Sequence, residues 1–347
     1  MRNKITVLMT GSGAPGGPGI LNALTREPRI NLHVADMNPL AAGSLLHDKS
    51  HTIPEADSPA FIDAIETLCF SEKVDVIFPL VTKELLTLSK NKSRFEALGI
   101  KVLASSHEAM SVLNNKGALL QHLASEDIPH PEFLLAKNAA DLNAAVHSLG
   151  YPSKPVVIKP SNGNGSRGIR ILDPSVDQYD LLFNHKPNSL YSSLDVVLES
   201  ISDQLIPEMV ISEYLPGPEL TIDSVIADGD IVELMIRTRD TMRNGISTSG
   251  RFIENASIES YVRKIVSSFN RNDLEGPVGF QVKKSRDGQY LILESNPRIQ
   301  GTSVAAIGCG VNLPVLSVLS SLGIALPYIK QSNIGFSRYY DEVYYAT

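Results

Sequence analysis

The sequence predicts a mixed α/β and α+β protein. An open, mostly parallel sheet flanked by helices comes first, followed by strand-rich lobes, the units sharing a cleft. Three observations predict this. The 347 residues exceed a usual single domain. Up to about residue 110, short apolar runs alternate with helical periods, the pattern of parallel βαβ units. Further on, strands are divided by Gly- and Pro-rich turns, most clearly Asp287–Gly288 between two apolar runs.

From the N-terminus, Ile5–Met9 reads as a buried strand running into T-G-S-G-A-P-G-G-P-G-I-L-N-A-L, a glycine-rich turn that opens an apolar helix. Asn31–Asp36 supplies a second strand ending in an acid, completing a strand–turn–helix–strand unit with a right-handed crossover. Pro15 and Pro18 break the G-x-G-x-x-G spacing of a dinucleotide fingerprint. The glycines therefore serve a tight turn, or expose backbone N–H groups to an anionic substrate. Phe61–Cys69 is predicted as helix, Val74–Pro79 as strand, Lys83–Phe95 as helix and Lys101–Ala104 as a short strand.

The character then changes. Leu113–Leu123 is predicted as one helix carrying Lys116, Phe133–Ala136 as a strand and Ala139–Leu149 as a helix. Pro155–Leu172 reads as strand, lysine, glycine-rich loop, strand. Lys159 ends the first strand, and Gly163, Gly165 and Gly168 let backbone N–H groups approach a phosphate. No G-K-[ST] follows and the loop joins two strands, so it is not a Walker A motif; the alternative is an ordinary hairpin loop. In Val210–Val225 a strand meets the rigid turn Pro216-Gly217-Pro218, and a second strand carries Glu219, Thr221 and Asp223 on one side. This stretch is either an edge hairpin or a connector offering backbone to an adenine and a carboxylate to ribose.

Near the C-terminal end, Y-L-I-L-E-S-N-P-R begins as a short buried strand. Glu294 and Asn296, two residues apart, share a side, and Pro297 ends the ladder before Arg298. An acid and an amide on a buried strand are costly to desolvate without a partner. A hard cation with oxygen ligands, most commonly magnesium with nucleotide phosphates, would satisfy them. The turn at Asp287–Gly288 brings Gln281 back beside Glu294; the alternative is a solvent-facing polar stripe. Phe336–Tyr345 alternates like a final strand of the large sheet, its tyrosines packing or anchoring a dimer.

Hydrophobic residues make up 43% of the chain, ample for packed cores, and no run is long enough to span a bilayer. The apolar run after the basic N-terminal tip ends at Gly11, too short for a signal peptide. Cys69 and Cys309 support neither a disulfide framework nor a zinc site and read as buried apolar residues. A net charge of −7 argues against a nucleic-acid surface. The expectation is a soluble cytoplasmic protein without nucleic-acid or membrane partners. The histidines are scattered, and His33, His122 and His147 read as surface or packing residues rather than ligands.

Lys116, V-I-K-P with its glycine loop, E-Y-L-P-G-P-E, Gln281 and L-E-S-N-P-R, in that order, resemble the ATP-grasp superfamily. Within it, the chain is most similar to the carbamoyl-phosphate-synthase-type ATP-grasp domain of stand-alone carboxylate–amine ligases. The resemblance spans essentially the whole chain and implies an ATP-grasp fold with an N-terminal Rossmann-like pre-ATP-grasp domain. On that reading, 1–111 is the pre-ATP-grasp domain, 112–209 the small subdomain with the flap and 210–347 the large subdomain with the metal site.

The resemblance also implies roles. Lys116 and Lys159 contact the nucleotide phosphates, under a flap containing Asn162, Gly163, Gly165, Ser166 and Gly168. Glu213, Tyr214 and Leu215 line the adenine pocket, and Glu219 holds the ribose. Gln281, Glu294 and Asn296 hold Mg2+, or Mn2+ in its place. Arg298 faces the acyl phosphate and joins Lys159 as a catalytic residue. In the family reaction a carboxylate attacks the γ-phosphate, and an amine then displaces phosphate from the acyl phosphate. Two departures stand out. Gln281 occupies a position where many relatives carry an acid. G-I-S-T-S-G (Gly245–Gly250) has Ser247 where carbamoyl-phosphate synthetases carry a histidine. The second departure, with a single ATP-grasp unit and no glutaminase, argues against carbamoyl-phosphate synthesis. Arg237 and Arg239 alternate on a strand and, as guanidinium forks, are the candidates for the substrate's anionic group; the alternative is a solvated edge. The reading is thus an ATP- and Mg2+-dependent carboxylate–amine ligase acting on small molecules. Its rivals are an enzyme acting on bicarbonate and a catalytically silent nucleotide-binding protein.

Overall fold

The computed structural model describes residues 4–163, 167–184, 190–202, 204–243, 245–324 and 334–346. The chain forms two compact units: Met1–Ser111, Leu220–Gln281 and Ser295–Thr347 make the first, and Val112–Glu219 with Val282–Glu294 the second.

The first unit begins with five parallel strands, β1 (Ile5–Thr10), β2 (Ile30–Asp36), β3 (Ser50–Thr52), β4 (Val76–Pro79) and β5 (Lys101–Val102), in the order β3-β2-β1-β4-β5. Both faces are buried, so alternate residues of one strand enter different cores. Val7 and Met9 pack with Ile20 and Leu24 of the helix Gly17–Thr25, whereas Leu8 packs with Phe61 and Ile65 of the helix Phe61–Glu72.

The glycine-rich turn after β1 is built for close backbone approach. A Cβ on Gly16, which has φ 95°, would stand 2.3 Å from Gly301 O, and one on Gly17 2.2 Å from Ser12 O. Packing against the chain's own backbone accounts for these two glycines without an anion.

Two predicted helices are divided. Lys83–Phe95 is two helices, Thr82–Lys90 and Lys92–Glu96, broken at Asn91, whose side-chain amide donates to Thr87 O at 2.8 Å. The stretch from Leu113 is not continuous either. One helix ends at Leu113, and the next, Lys116–Ser125, starts after Asn115, whose Oδ1 caps Ala118 N at 2.9 Å. Helical periodicity carries across both breaks; the polar side chain that competes for backbone decides the boundary.

The second unit holds a five-stranded sheet of β6 (Phe133–Ala136), β7 (Val156–Pro160), β8 (Arg170–Leu172), β9 (Tyr191–Ser192) and β10 (Met209–Glu213), in the order β6-β10-β7-β8-β9. Its core joins Val156, Ile158 and Ile211 to Leu142 and Val146 of the helix Ala139–Ser148.

A seven-stranded sheet follows from β11 (Glu219–Ala227), β12 (Asp230–Thr238), β13 (Thr241–Arg243), β14 (Ile246–Ile253), β15 (Gly276–Lys284), β16 (Tyr290–Asn296) and β17 (Gly335–Ser337). Its order is β13-β14-β12-β11-β15-β16, with β17 on β14. The Pro216-Gly217-Pro218 turn therefore does not close a hairpin: β10 and β11 belong to different sheets. The predicted terminal strand is also shorter. Only Gly335–Ser337 pairs, and Tyr339, Tyr340 and Tyr344 beyond it are exposed instead of packed.

Candidate active site

Within the second unit, three sequence-predicted residues converge. Asn115 caps the helix that starts at Lys116, and Lys116 N donates to Ser161 O at 2.8 Å, tying the helix start to the end of β7. Lys116 is buried; its Nζ donates to Gly163 O at 2.8 Å and lies 3.3 Å from Glu294 Oε2. Lys159, on β7 and 5% exposed, donates from Nζ to Leu293 O at 2.9 Å. Its pKa falls to about 8, chiefly through burial and secondarily through Lys116, with Glu294 and Glu219 opposing. The result is two buried ammonium groups beside the Glu294 carboxylate, with Glu219 also acting on Lys159, cations suited to phosphate oxygens.

The segment after β10 is held by backbone. Glu213 exchanges bonds with Glu132, its Oε1 accepting from Glu132 N at 3.0 Å, and Leu215 is buried. Gly217 N donates to Lys284 O at 2.9 Å, where a Cβ would stand 2.8 Å from that same oxygen. The Lys283 ammonium sits 5.0 Å from the centre of the Tyr214 ring. Burial lowers the Lys283 pKa while Glu219 pulls it up, which makes Lys283 a further basic group of this unit. Gly165 and Ser166 lie outside the described residues; Asn162, Gly163 and Gly168 follow β7, and Gly168 has φ 74°.

In the first unit, Arg298 Nε donates to Thr82 Oγ1 at 3.3 Å and its Nη1 to Ile299 O at 3.1 Å, with Nη2 3.5 Å from Asn296 Oδ1. Asn296 closes β16 and Gln281 lies on β15; both are half-buried. Glu294 carries a carboxylate, and Asn296 and Gln281 each an amide oxygen, hard-oxygen donors of the kind magnesium takes.

The two arginines of β12 and its end differ. Arg237 is 2% exposed and donates from Nε to Asp223 Oδ2 at 2.7 Å and from Nη1 to Ser247 Oγ at 3.3 Å. Asp223 Oδ1 also accepts from Gln300 Nε2 at 2.9 Å. Arg237 is thus neither a solvated edge residue nor an open fork. Arg239 lies just beyond β12, donating to Thr221 Oγ1 at 3.1 Å and Gly245 O at 2.6 Å. Gln300 carries no motif in the sequence, and strand alternation gives Asp223 only a side; their contacts with each other and with Arg237 come from tertiary packing. Cys69 and Cys309 are both buried, and burial pushes the Cys69 pKa up to about 12.

This arrangement of sheets defines the ATP-grasp fold. The solved ADP complex of an N5-carboxyaminoimidazole ribonucleotide synthetase superposes with a TM-score of 0.70 at 14% identity, covering 96% of this chain and 81% of that one. An L-amino acid ligase from Bacillus licheniformis gives 0.64 at 16% identity, covering 92% and 75%. Residues 205–338 match the model for the ATP-grasp in the biosynthetic pathway with Ter operon, and residues 8–103 the PylC-like N-terminal domain, matches that fit the ATP-grasp superfamily. Among curated proteins, the L-arginine-specific L-amino acid ligase of Bacillus subtilis is 25% identical over 67% of this chain and 53% of its own length. The arginine-specific carbamoyl phosphate synthase large chain of Geobacillus stearothermophilus is 24% identical over 65% of this chain and 20% of its own. The chain therefore spans about half or less of these two relatives. Among the described residues, no single helix is long and apolar enough to cross a membrane.

Proposed function

We propose that the protein is an ATP- and Mg2+-dependent ligase that joins a small carboxylate to an amine through an acyl phosphate, as a cytoplasmic enzyme. One observation carries this reading: Lys116 and Lys159, both buried, stand at the Glu294 strand, Lys116 3.3 Å from the carboxylate and Lys159 2.9 Å from Leu293 O. Phosphoryl transfer depends on positioning and charge neutralisation more than on a covalent protein group, and this cluster supplies both.

In this reading Lys116 and Lys159 bind the β- and γ-phosphates, and the chain from Asn162 to Gly168 covers them and excludes water. Glu213, Tyr214 and Leu215 receive the adenine, and Glu219 the ribose hydroxyls. Glu294, Asn296 and Gln281 are the residues that would hold magnesium, or manganese, which supplies charge neutralisation at the phosphates. The attacking carboxylate oxygen takes the γ-phosphoryl group and ADP leaves. The amine then adds to the acyl carbon, and inorganic phosphate departs as a proton leaves the nitrogen. Arg298 steadies the charge on the transferred group, and Arg239 anchors the acid. Exposed Tyr339, Tyr340 and Tyr344 are the surface assigned to a homodimer.

The test is an ADP-release screen over acids and amines, including bicarbonate, with mass detection of the product. Release that requires both an acid and an amine supports the ligase. Release with bicarbonate alone would favour a carboxylating enzyme, and ATP binding without ADP under every condition would sink both.

A further inference from the structure

Outside every residue assigned above, His33, His51 and Glu72 meet at one edge of the five-stranded parallel sheet. His33 lies on β2 and is 5% exposed. His51, on the edge strand β3, is in register with Ala35, two residues on from His33 and so on the same face. Glu72 is the last residue of the helix Phe61–Glu72. His33 Nδ1 stands 3.1 Å from His51 Nε2 and 3.7 Å from Glu72 Oε2. All three ligand atoms fall within 4.8 Å of one another. A tetrahedral zinc ion with bonds of about 2.0–2.1 Å sets its ligand atoms roughly 3.3 Å apart, close to the two separations that His33 Nδ1 makes. His51 and Glu72 are only half-buried, which leaves an ion a way in and room for water as a fourth ligand.

We propose that His33 Nδ1, His51 Nε2 and Glu72 bind a divalent transition-metal ion of the zinc class. Two imidazoles and one carboxylate select zinc, cobalt or nickel over magnesium and calcium, which take oxygen ligands. The ion replaces the hydrogen bond between the rings. The ring carrying that hydrogen moves it to its far nitrogen, so the neutral pair releases no net proton. For His33 the far nitrogen is Nε2, 3.4 Å from the Asn31 side-chain nitrogen. The ring planes lie 16° from parallel with their centroids 5.4 Å apart, so binding requires both rings to rotate until their lone pairs meet on one ion. The bound ion would clamp the edge strand to β2 and to the helix end, where a three-residue strand has few other ties.

The experiment is a Co2+ titration of the nucleotide-free full chain, followed by visible absorption. One equivalent should develop the intense d–d bands of a low-coordinate nitrogen and oxygen site. His51→Ala, at a half-buried edge position, should weaken binding by more than about a hundredfold, since losing even an outer-shell partner costs up to that. Glu72→Gln should weaken binding in the same direction, and Glu294→Gln in the other unit should leave the bands intact. Absence of the bands, or equal Co2+ affinity in wild type and His51→Ala, would overturn the proposal and leave a histidine pair sharing one hydrogen at a sheet edge.

Discussion

Lys116 Nζ lies 3.3 Å from Glu294 Oε2, so a helix start and a strand end far apart in sequence meet as a cation and a carboxylate. The same ammonium donates to Gly163 O, at the start of the glycine loop. The carboxylate proposed for the metal is therefore paired with the lysine proposed to bind phosphate.

Glu294→Gln should abolish ADP release while the fold persists, because it removes the only anion among the proposed metal ligands. The assay is steady-state ADP formation beside a thermal melt. Turnover within about tenfold of wild type, a change of about 1.4 kcal/mol in barrier, would remove Glu294 from that role.

Lys159 gives a pH signature. Its folded pKa is lowered to about 8 from an ordinary 10.5, so the free protein begins to lose this cation as pH rises through about 8. Phosphate binding favours the cation and must take up a proton above that pH. ATP affinity, measured without turnover, should fall from about pH 8 upward, and Lys159→Met should bind weakly with that step missing. The linkage sign for stability is opposite. The unfolded chain keeps the proton up to about 10.5, so this lysine's destabilising effect diminishes between the two values. An unchanged pH step in Lys159→Met would assign the titration elsewhere.

The arginines should separate by what they touch. Arg237→Ala leaves the buried Asp223 without its ion-pair partner and should lower stability by about 3–5 kcal/mol, seen as a loss of Tm. Arg239→Ala should leave Tm near wild type and raise the acid's KM by about ten- to a hundredfold, the scale of a charged bidentate contact. Arg298→Ala should lower the rate at saturating acid, since its contact strengthens in the transition state. Equal KM effects from Arg239→Ala and Arg298→Ala would merge the two roles.

Much of the fold was legible in local pattern. The Asp287–Gly288 turn, the β15 and β16 runs and the spacing of Glu294 and Asn296 follow from strand alternation and turn chemistry. The division at Asn91 and the restart at Asn115 were not legible, because one capping side chain outweighs apolar periodicity. The Pro216-Gly217-Pro218 turn gave no sign that its flanking strands enter different sheets. Arg237 shows the same limit: alternation set its face, while burial against Asp223 comes only from packing. A linear reading has no means of assigning 282–294 to the unit made by 112–219, nor of bringing His33, His51 and Glu72 together.

The most direct measurement of the central claim follows an oxygen. An acid identified by the screen is supplied with 18O in its carboxylate, together with ATP, Mg2+ and amine, and the released inorganic phosphate is analysed by mass. If an acyl phosphate forms and the amine displaces phosphate from carbon, one carboxylate oxygen leaves with each phosphate, which then carries a single 18O. Phosphate free of label, at a rate of ADP release that still depends on the acid, would contradict the acyl-phosphate ligase.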